Sequence, residues 1–246
     1  MRSSLATILA AAVAAAPLDA GADCATDAML VFDGSASMAE ITLETGPRTR
    51  IAEARQAMAR ALPRVERVRR IGLLTYGPGP EGSCEGINLR LPPLDRAAAS
   101  ILAELERLDP NGLTPLSAAV ERAADALDYR ARPAVVVLVT DGNETCGGTP
   151  CATSRRMAVA AVDLTIHVIG FRATRDVFAW DSPEQQEFGG DTVAKCFADR
   201  TGGLFVDTRT VDELVDALDR TLGCPVVGAL PRPGAAAGRV PPGARG

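Results

Sequence analysis

The run Ala134-Val135-Val136-Val137-Leu138-Val139-Thr140 is apolar at odd and even positions alike. A strand with one wet face alternates polar and apolar residues. One that is apolar on both faces and rich in β-branched side chains belongs to a parallel sheet covered by helices on both sides. This run therefore restricts the chain to α/β architectures. At 246 residues and 47% apolar content there is enough material for one sizeable core, so one large domain is expected.

The flanking sequence agrees. Ala28-Met29-Leu30-Val31-Phe32 is a second buried strand, and Ile51, Ala54, Met58 and Leu62 then recur at helical spacing. Ile71 to Tyr76 reads as a strand stopped by Gly77-Pro78-Gly79-Pro80, with a hairpin into Ile87 to Leu91. Ile101, Leu102, Leu105 and Leu108 mark a helix closed by Asp109-Pro110-Asn111-Gly112, and Pro115 opens the next, which runs through Leu127. After the Ala134 strand come a helix at about Cys151 to Ala161, a strand from Leu164 to Gly170 and a long irregular excursion over 171–189. A helix near Thr192 to Arg200, a short strand Leu204 to Val206 and a helix Val211 to Leu222 follow. The alternation predicts a doubly wound, mostly parallel six-stranded sheet with one antiparallel edge strand and helices on both faces. In such sheets ligands bind beyond the carboxyl ends of the strands, where strand order reverses. Asp33 and Asp141 each follow a strand directly and so lie on that rim.

Residues 1–22 combine Arg2, the apolar run Leu5 to Ala16 and Ala20-Gly21-Ala22, the composition of a secretory signal peptide. The expected domain is 23–224, and residues 225–246, rich in Pro, Gly, Ala and Arg, read as a disordered tail. No later run is apolar for long enough to span a membrane. Six cysteines in an exported chain argue for disulfides in an oxidising compartment, hence a periplasmic or secreted protein. The Cys146–Cys151 stretch could hold zinc, but no histidine is near and export favours an intraloop disulfide. Cys24 and Cys224 flank the first strand and last helix and are expected to bridge. Cys84 and Cys196 are left to each other only by elimination, although the element order puts them at opposite edges. Without Arg2, Asp19, Arg232, Arg239 and Arg245 the net charge moves from −5 to −8, unsuited to nucleic acid. The basic cluster Arg64, Arg67, Arg69 and Arg70 reads as the solvated end of a helix.

Three loops carry oxygen donors toward the rim. The first holds Asp33, Ser35 and Ser37, the second Thr114 within Gly112-Leu113-Thr114-Pro115, and the third Asp141 within Thr140-Asp141-Gly142. Each alone is an ordinary turn residue. Together, in this order, they resemble the metal-ion-dependent adhesion site of the von Willebrand factor type A domain and of the inserted domain of integrins. The likeness covers roughly residues 26–222 and matches all five positions. It implies that Ser35, Ser37 and Thr114 ligate a divalent ion directly while Asp33 and Asp141 act partly through water. The ion would be Mg²⁺, or Mn²⁺ or Ca²⁺, and its remaining ligand an Asp or Glu of another protein. Hard cations do take oxygen ligands, and Mg²⁺ keeps several waters. Glu144, near the same rim, is either a group that supports the site from behind or, the favoured reading, a solvated loop carboxylate. Phe171, Phe178, Trp180 and Phe188 in the excursion are either interface anchors beside the metal or a local mini-core.

The expected function is a metal-dependent protein-binding module rather than an enzyme. The alternative is a metal-dependent hydrolase or phosphatase using the same rim. The one histidine, His167, lies mid-strand and reads as hydrogen-bonded in place rather than as a base. No P-loop lysine or glycine-rich dinucleotide turn is present.

Overall fold

The structure, a computed structural model, describes residues 25–41, 47–80, 82–173 and 193–224. The signal-like segment, Cys24, the aromatics Phe178, Trp180 and Phe188, and the Pro/Gly-rich tail lie outside these residues. Six strands form one sheet: β1 (Ala28–Asp33), β2 (Ile71–Tyr76), β3 (Asn88–Leu94), β4 (Ala134–Thr140), β5 (Leu164–Phe171) and β6 (Phe205–Thr208). Their spatial order is β3-β2-β1-β4-β5-β6, parallel throughout except for the antiparallel β2–β3 pair at one edge. The helices are α1 (Arg50–Val65), α2 (Ala98–Glu106), α3 (Leu116–Ala126), α4 (Pro150–Ala160), α5 (Lys195–Thr201) and α6 (Val211–Leu222).

Because strand side chains alternate in direction, β1 and β4 feed two cores. Leu30, Phe32, Val135, Val137 and Val139 pack with α1, α2 and α6, whereas Met29, Val31, Val136 and Leu138 pack with α3, α4 and α5. All seven residues of β4 are buried, as its two-sided apolarity requires. Burying both faces stabilises the centre of the sheet by roughly 2 kcal/mol per large aliphatic side chain. β4 and α6 have the bounds read from sequence. The helix cap explains the second: Thr210 accepts from Glu213 N while Glu213 accepts from Thr210 N, a reciprocal capping box.

Two readings need correction. β3 continues through Pro92 and Pro93 to Leu94, past the expected end at Leu91. It is the edge strand, bonded on one side alone, where a missing N–H is tolerated. Arg69 is buried, unlike the exposed Arg64, Arg67 and Arg70 of the same cluster.

The cysteine pairing also differs. Cys84 bonds Cys146, and Cys151 bonds Cys196. Neither the Cys146–Cys151 loop closure nor the Cys84–Cys196 pair forms. Cys151 lies in α4, whose first turn packs beside α5 and its Cys196, and Cys146 reaches instead across the rim to the loop after β2. Cys224 is disulfide-bonded, and its expected partner Cys24 lies outside the described residues. No helix among the described residues is long and apolar enough to cross a membrane.

Candidate metal-binding site

After β1 the chain turns toward β2 on one side, and after β4 it proceeds to β5 on the other, so strand order reverses between β1 and β4. Phe32 is registered with Val139, which places Asp33 and Asp141 at the carboxyl ends of adjacent parallel strands. Both are buried.

Backbone contacts press the Asp33 loop against the end of β2 and the loop that carries Thr114. Gly34 N donates to Tyr76 O at 2.8 Å, Asn111 N to Gly34 O at 2.9 Å and Ala36 N to Gly112 O at 3.2 Å. Two glycines allow this approach. Gly77 has φ +103°, and a Cβ there would sit 2.3 Å from Ser35 N. Gly112 has φ +72°, and its Cβ would sit 2.1 Å from Gly77 O. Any larger residue at either position would push the loops apart.

Asp33 is held by neutral donors. Its Oδ1 accepts from Ser35 N at 2.8 Å, and its Oδ2 accepts from the hydroxyls of Tyr76 and Thr140, each at 2.7 Å. Burial, and then the neighbouring Asp33 charge, push the Tyr76 hydroxyl well above its ordinary range, so it remains a proton donor. Asp141 is held differently. Its Oδ1 accepts from the Ser37 hydroxyl at 2.7 Å and its Oδ2 from Arg50 Nη1 at 2.9 Å. Burial raises its carboxyl to about 7, and Asp33 adds to the rise, against the lowering effects of Ser37 and Arg50. Ser35 Oγ lies 3.0 Å from Ser37 Oγ. Thr114 is buried, donates through its N–H to Thr145 Oγ1 at 2.8 Å and accepts at its carbonyl from Thr145 N at 3.1 Å.

The geometry thus unites Asp33, Ser35, Ser37 and Asp141 in one hydrogen-bonded set and fixes the Thr114 loop against it. The donor set fits a hard divalent cation. It offers only oxygens, and the Ser37 proton is directed at Asp141, which leaves the hydroxyl lone pairs for a ligand. The two buried carboxylates have one cationic partner between them, and burial first, then the Asp33 charge, raises the Asp141 carboxyl in spite of it. The rim brings together two carboxylates, and no group of three or more His, Cys, Asp or Glu side chains placed to hold a metal ion occurs among the described residues.

Three participants escaped the sequence reading, and a fourth, Glu144, takes the supporting role that was the less favoured of its two readings. Tyr76 is registered with Asp33 across β1 and β2, a signal available only once that pairing is known. Thr140 precedes Asp141 and points back to Asp33. Arg50, the first residue of α1, is buried and contacts Asp141, Glu40 and the Ser37 carbonyl. Glu144, expected to be solvated, is 1% exposed. Its Oε2 accepts from Ser117 N in the first turn of α3, and its Oε1 from Cys146 N, at 2.8 and 2.9 Å. It ties the Asp141 loop to the helix after Thr114, and a carboxylate at a helix N-terminus is well placed. The Cys84–Cys146 bond adds a second tie, since Ser83 O accepts from Leu113 N. His167 accepts at Nδ1 from Leu204 N at 2.9 Å, the in-strand role expected of it.

Residues 28–144, a span that includes all five rim positions, match the family model described as von Willebrand factor type A domain. The uncharacterized protein YwmD of Bacillus subtilis (strain 168) is 25% identical over 223 residues, covering 87% of this chain and 92% of its own. Among solved structures, a von Willebrand factor type A protein from Catenulispora acidiphila superposes with TM-score 0.56 at 20% identity over 81% of this chain. The pilus adhesin SpaC from Lactobacillus rhamnosus GG does so with TM-score 0.58 at 14% identity over 80%. This chain spans 42% and 30% of those two chains, and at such identities the likeness is one of fold. Residues 28–144 carry the sequence pattern of a von Willebrand factor type A domain, set on the doubly wound sheet that such domains share.

Proposed function

We propose that the protein is an exported von Willebrand factor type A module that binds a partner protein through a divalent ion, Mg²⁺ in the first instance, held on this rim. The observation that carries the reading is the chain from Ser35 Oγ through Ser37 Oγ to Asp141, assembled from loops 104 residues apart in sequence. Ser35, Ser37 and Thr114 would hold the ion through their hydroxyl oxygens, and Asp33 and Asp141 would orient its waters. Bound there, the ion supplies an electrophilic position for a carboxylate, so the partner is a protein presenting Asp or Glu. Asp33 stays oriented through Tyr76 and Thr140, and Glu144 keeps the Thr114 and Asp141 loops in register. Two further observations support an exported binder. The disulfides suit an oxidising compartment, and the structural neighbours include a pilus adhesin and the PilB minor pilin of Streptococcus sanguinis.

The test is thermal unfolding of the mature protein with Mg²⁺ or Mn²⁺. At a hundredfold excess over the dissociation constant the gain is about 2.7 kcal/mol, a rise of roughly 5–10 °C for a domain of this size. Thr114→Ala abolishes the rise while the variant remains folded. A parent protein that does not respond to either ion sinks the metal reading. Recovery of a partner from the cell envelope that persists in chelator moves binding away from the ion. Phosphatase or esterase turnover lost in Asp33→Ala would favour an enzyme.

A further inference from the structure

Arg50 breaks several local rules at once. It places a cation in the first turn of α1, the positive end of the helix, where acidic residues are favoured. It is 2% exposed, and its Nε is buried without a hydrogen-bond partner. A buried charge is costly unless something specific holds it, and violations of this kind mark functional positions.

What holds it is the rim. Nη1 lies 2.9 Å from Asp141 Oδ2, 3.0 Å from the Ser37 carbonyl oxygen and 3.1 Å from Glu40 Oε2. Two of these three acceptors belong to residues of the site described above. The third, Glu40, has a side chain 63% exposed, so solvent screens its charge.

The charge balance then has a direction. Asp33 and Asp141 alone would cancel a divalent cation and leave nothing to attract a further anion. With Arg50 beside Asp141 the buried share falls to one negative charge, and the loaded site carries one positive charge. A partner carboxylate completes the neutralisation. Glu144 adds a buried negative charge on the α3 side, held by backbone N–H groups, that is the same in the parent and in every Arg50 variant and so drops out of the comparison between them.

Resting on the metal reading, we propose that Arg50 is the positioning and charge-setting residue of the rim site. It fixes Asp141 and the Ser37 backbone, and its charge loosens the grip on the cation while tightening the loaded site's grip on an anionic ligand. The consequence is a paired, opposite movement of two affinities, which a purely structural role would not produce.

The experiment uses the mature chain with Mn²⁺ alone, followed by calorimetry, and then acetate added to the Mn²⁺-loaded protein, followed by water-proton relaxation. Arg50→Gln is expected to bind Mn²⁺ about three- to tenfold more tightly and acetate more weakly by a comparable factor, the scale of one charge at short range in a partly solvated site. Arg50→Lys keeps the charge and holds acetate affinity within about twofold of the parent. A folded Arg50→Gln that loses affinity for both probes overturns the proposal, because positioning alone then explains Arg50. Should Arg50→Gln not fold, Glu40→Lys adds positive charge from the surface and is expected to weaken Mn²⁺ and strengthen acetate by about two- to threefold. Parental values for both probes in that variant overturn it equally. Failure of the parent to bind Mn²⁺ removes the metal reading and this proposal with it, whereas parental Mn²⁺ binding without the opposed shifts removes this proposal alone.

Discussion

Asp33 and Asp141 end neighbouring parallel strands and are almost equally buried, yet the protein holds them in opposite ways. Around Asp33 stand three neutral donors, Ser35 N and the hydroxyls of Tyr76 and Thr140, all supplied by rigid strand ends or the turn itself. Asp141 has one hydroxyl and one guanidinium, from a loop and a helix start. Fixed dipoles solvate a buried charge without changing the net charge of the site. A charged partner changes it. The Asp33 side is therefore the permanent half of the site, built into the sheet, and the Asp141 side is the half whose electrostatics remain adjustable.

The sharpest way to break this contrast is to delete each carboxylate in the presence of chelator. Asp33→Ala strips the acceptor from two buried hydroxyls and one backbone N–H, and is expected to cost about 3 kcal/mol in urea unfolding. Asp141→Asn keeps an oxygen for one of its two donors and, compared at pH 5 where Asp141 is itself protonated, is expected to cost about 1 kcal/mol. Equal losses would erase the distinction. Glu144→Gln comes next. Its amide retains one acceptor oxygen but turns an NH₂ toward a backbone N–H, so about 2 kcal/mol is expected, together with faster amide exchange at Ser117 and Cys146. Tyr76→Phe removes one of the two hydroxyls on Asp33 Oδ2 and is expected to cost about 1 kcal/mol. Thr140 still supports Asp33, so the Mg²⁺-dependent rise in melting temperature should survive this change and be lost in Asp33→Ala.

The same contrast explains what could be read from the sequence. β4 was legible to its last residue because Ala134 to Thr140 is apolar on both faces, and a parallel strand at the centre of a doubly wound sheet has no alternative. Asp33 and Asp141 were legible as rim residues because each terminates such a strand. Their partners were not. Tyr76 becomes relevant through the β1–β2 register, and Arg50 reads as an ordinary polar helix start until the loop after Ser37 folds over it. Glu144 illustrates the same limit. A glutamate in a Gly-rich loop is usually solvated, and only the packing of that loop on α3 buries it. The cysteines failed for a related reason. Sequence proximity favoured Cys146 with Cys151, but the second had already entered α4, whose neighbour across the face is α5. β3 outran its expected end because edge strands accept prolines that central strands reject.

The pH dependence of stability most directly probes the adjustable half. In the cation-free protein Asp141 keeps its proton up to about pH 7, because burial and Asp33 disfavour its charge. In the unfolded chain the same carboxyl ionises near pH 4. Between these values the native state binds more protons than the unfolded state, so the Asp141 contribution to stability falls as pH rises from about 4 to about 7 and is level above that. This is the reverse of a carboxylate stabilised by a salt bridge, despite the presence of Arg50. Urea midpoints in chelator at pH 5, 6, 7 and 8 should therefore decline more steeply for the parent than for Asp141→Asn, with the two curves running parallel above pH 7. Saturating Mg²⁺ should flatten the parental curve near neutrality, because a cation on the rim favours the ionised carboxylate. A parent and an Asp141→Asn variant with the same pH dependence in chelator would mean that Arg50 and Ser37 already compensate the Asp141 charge, and that the two halves of the site are alike after all.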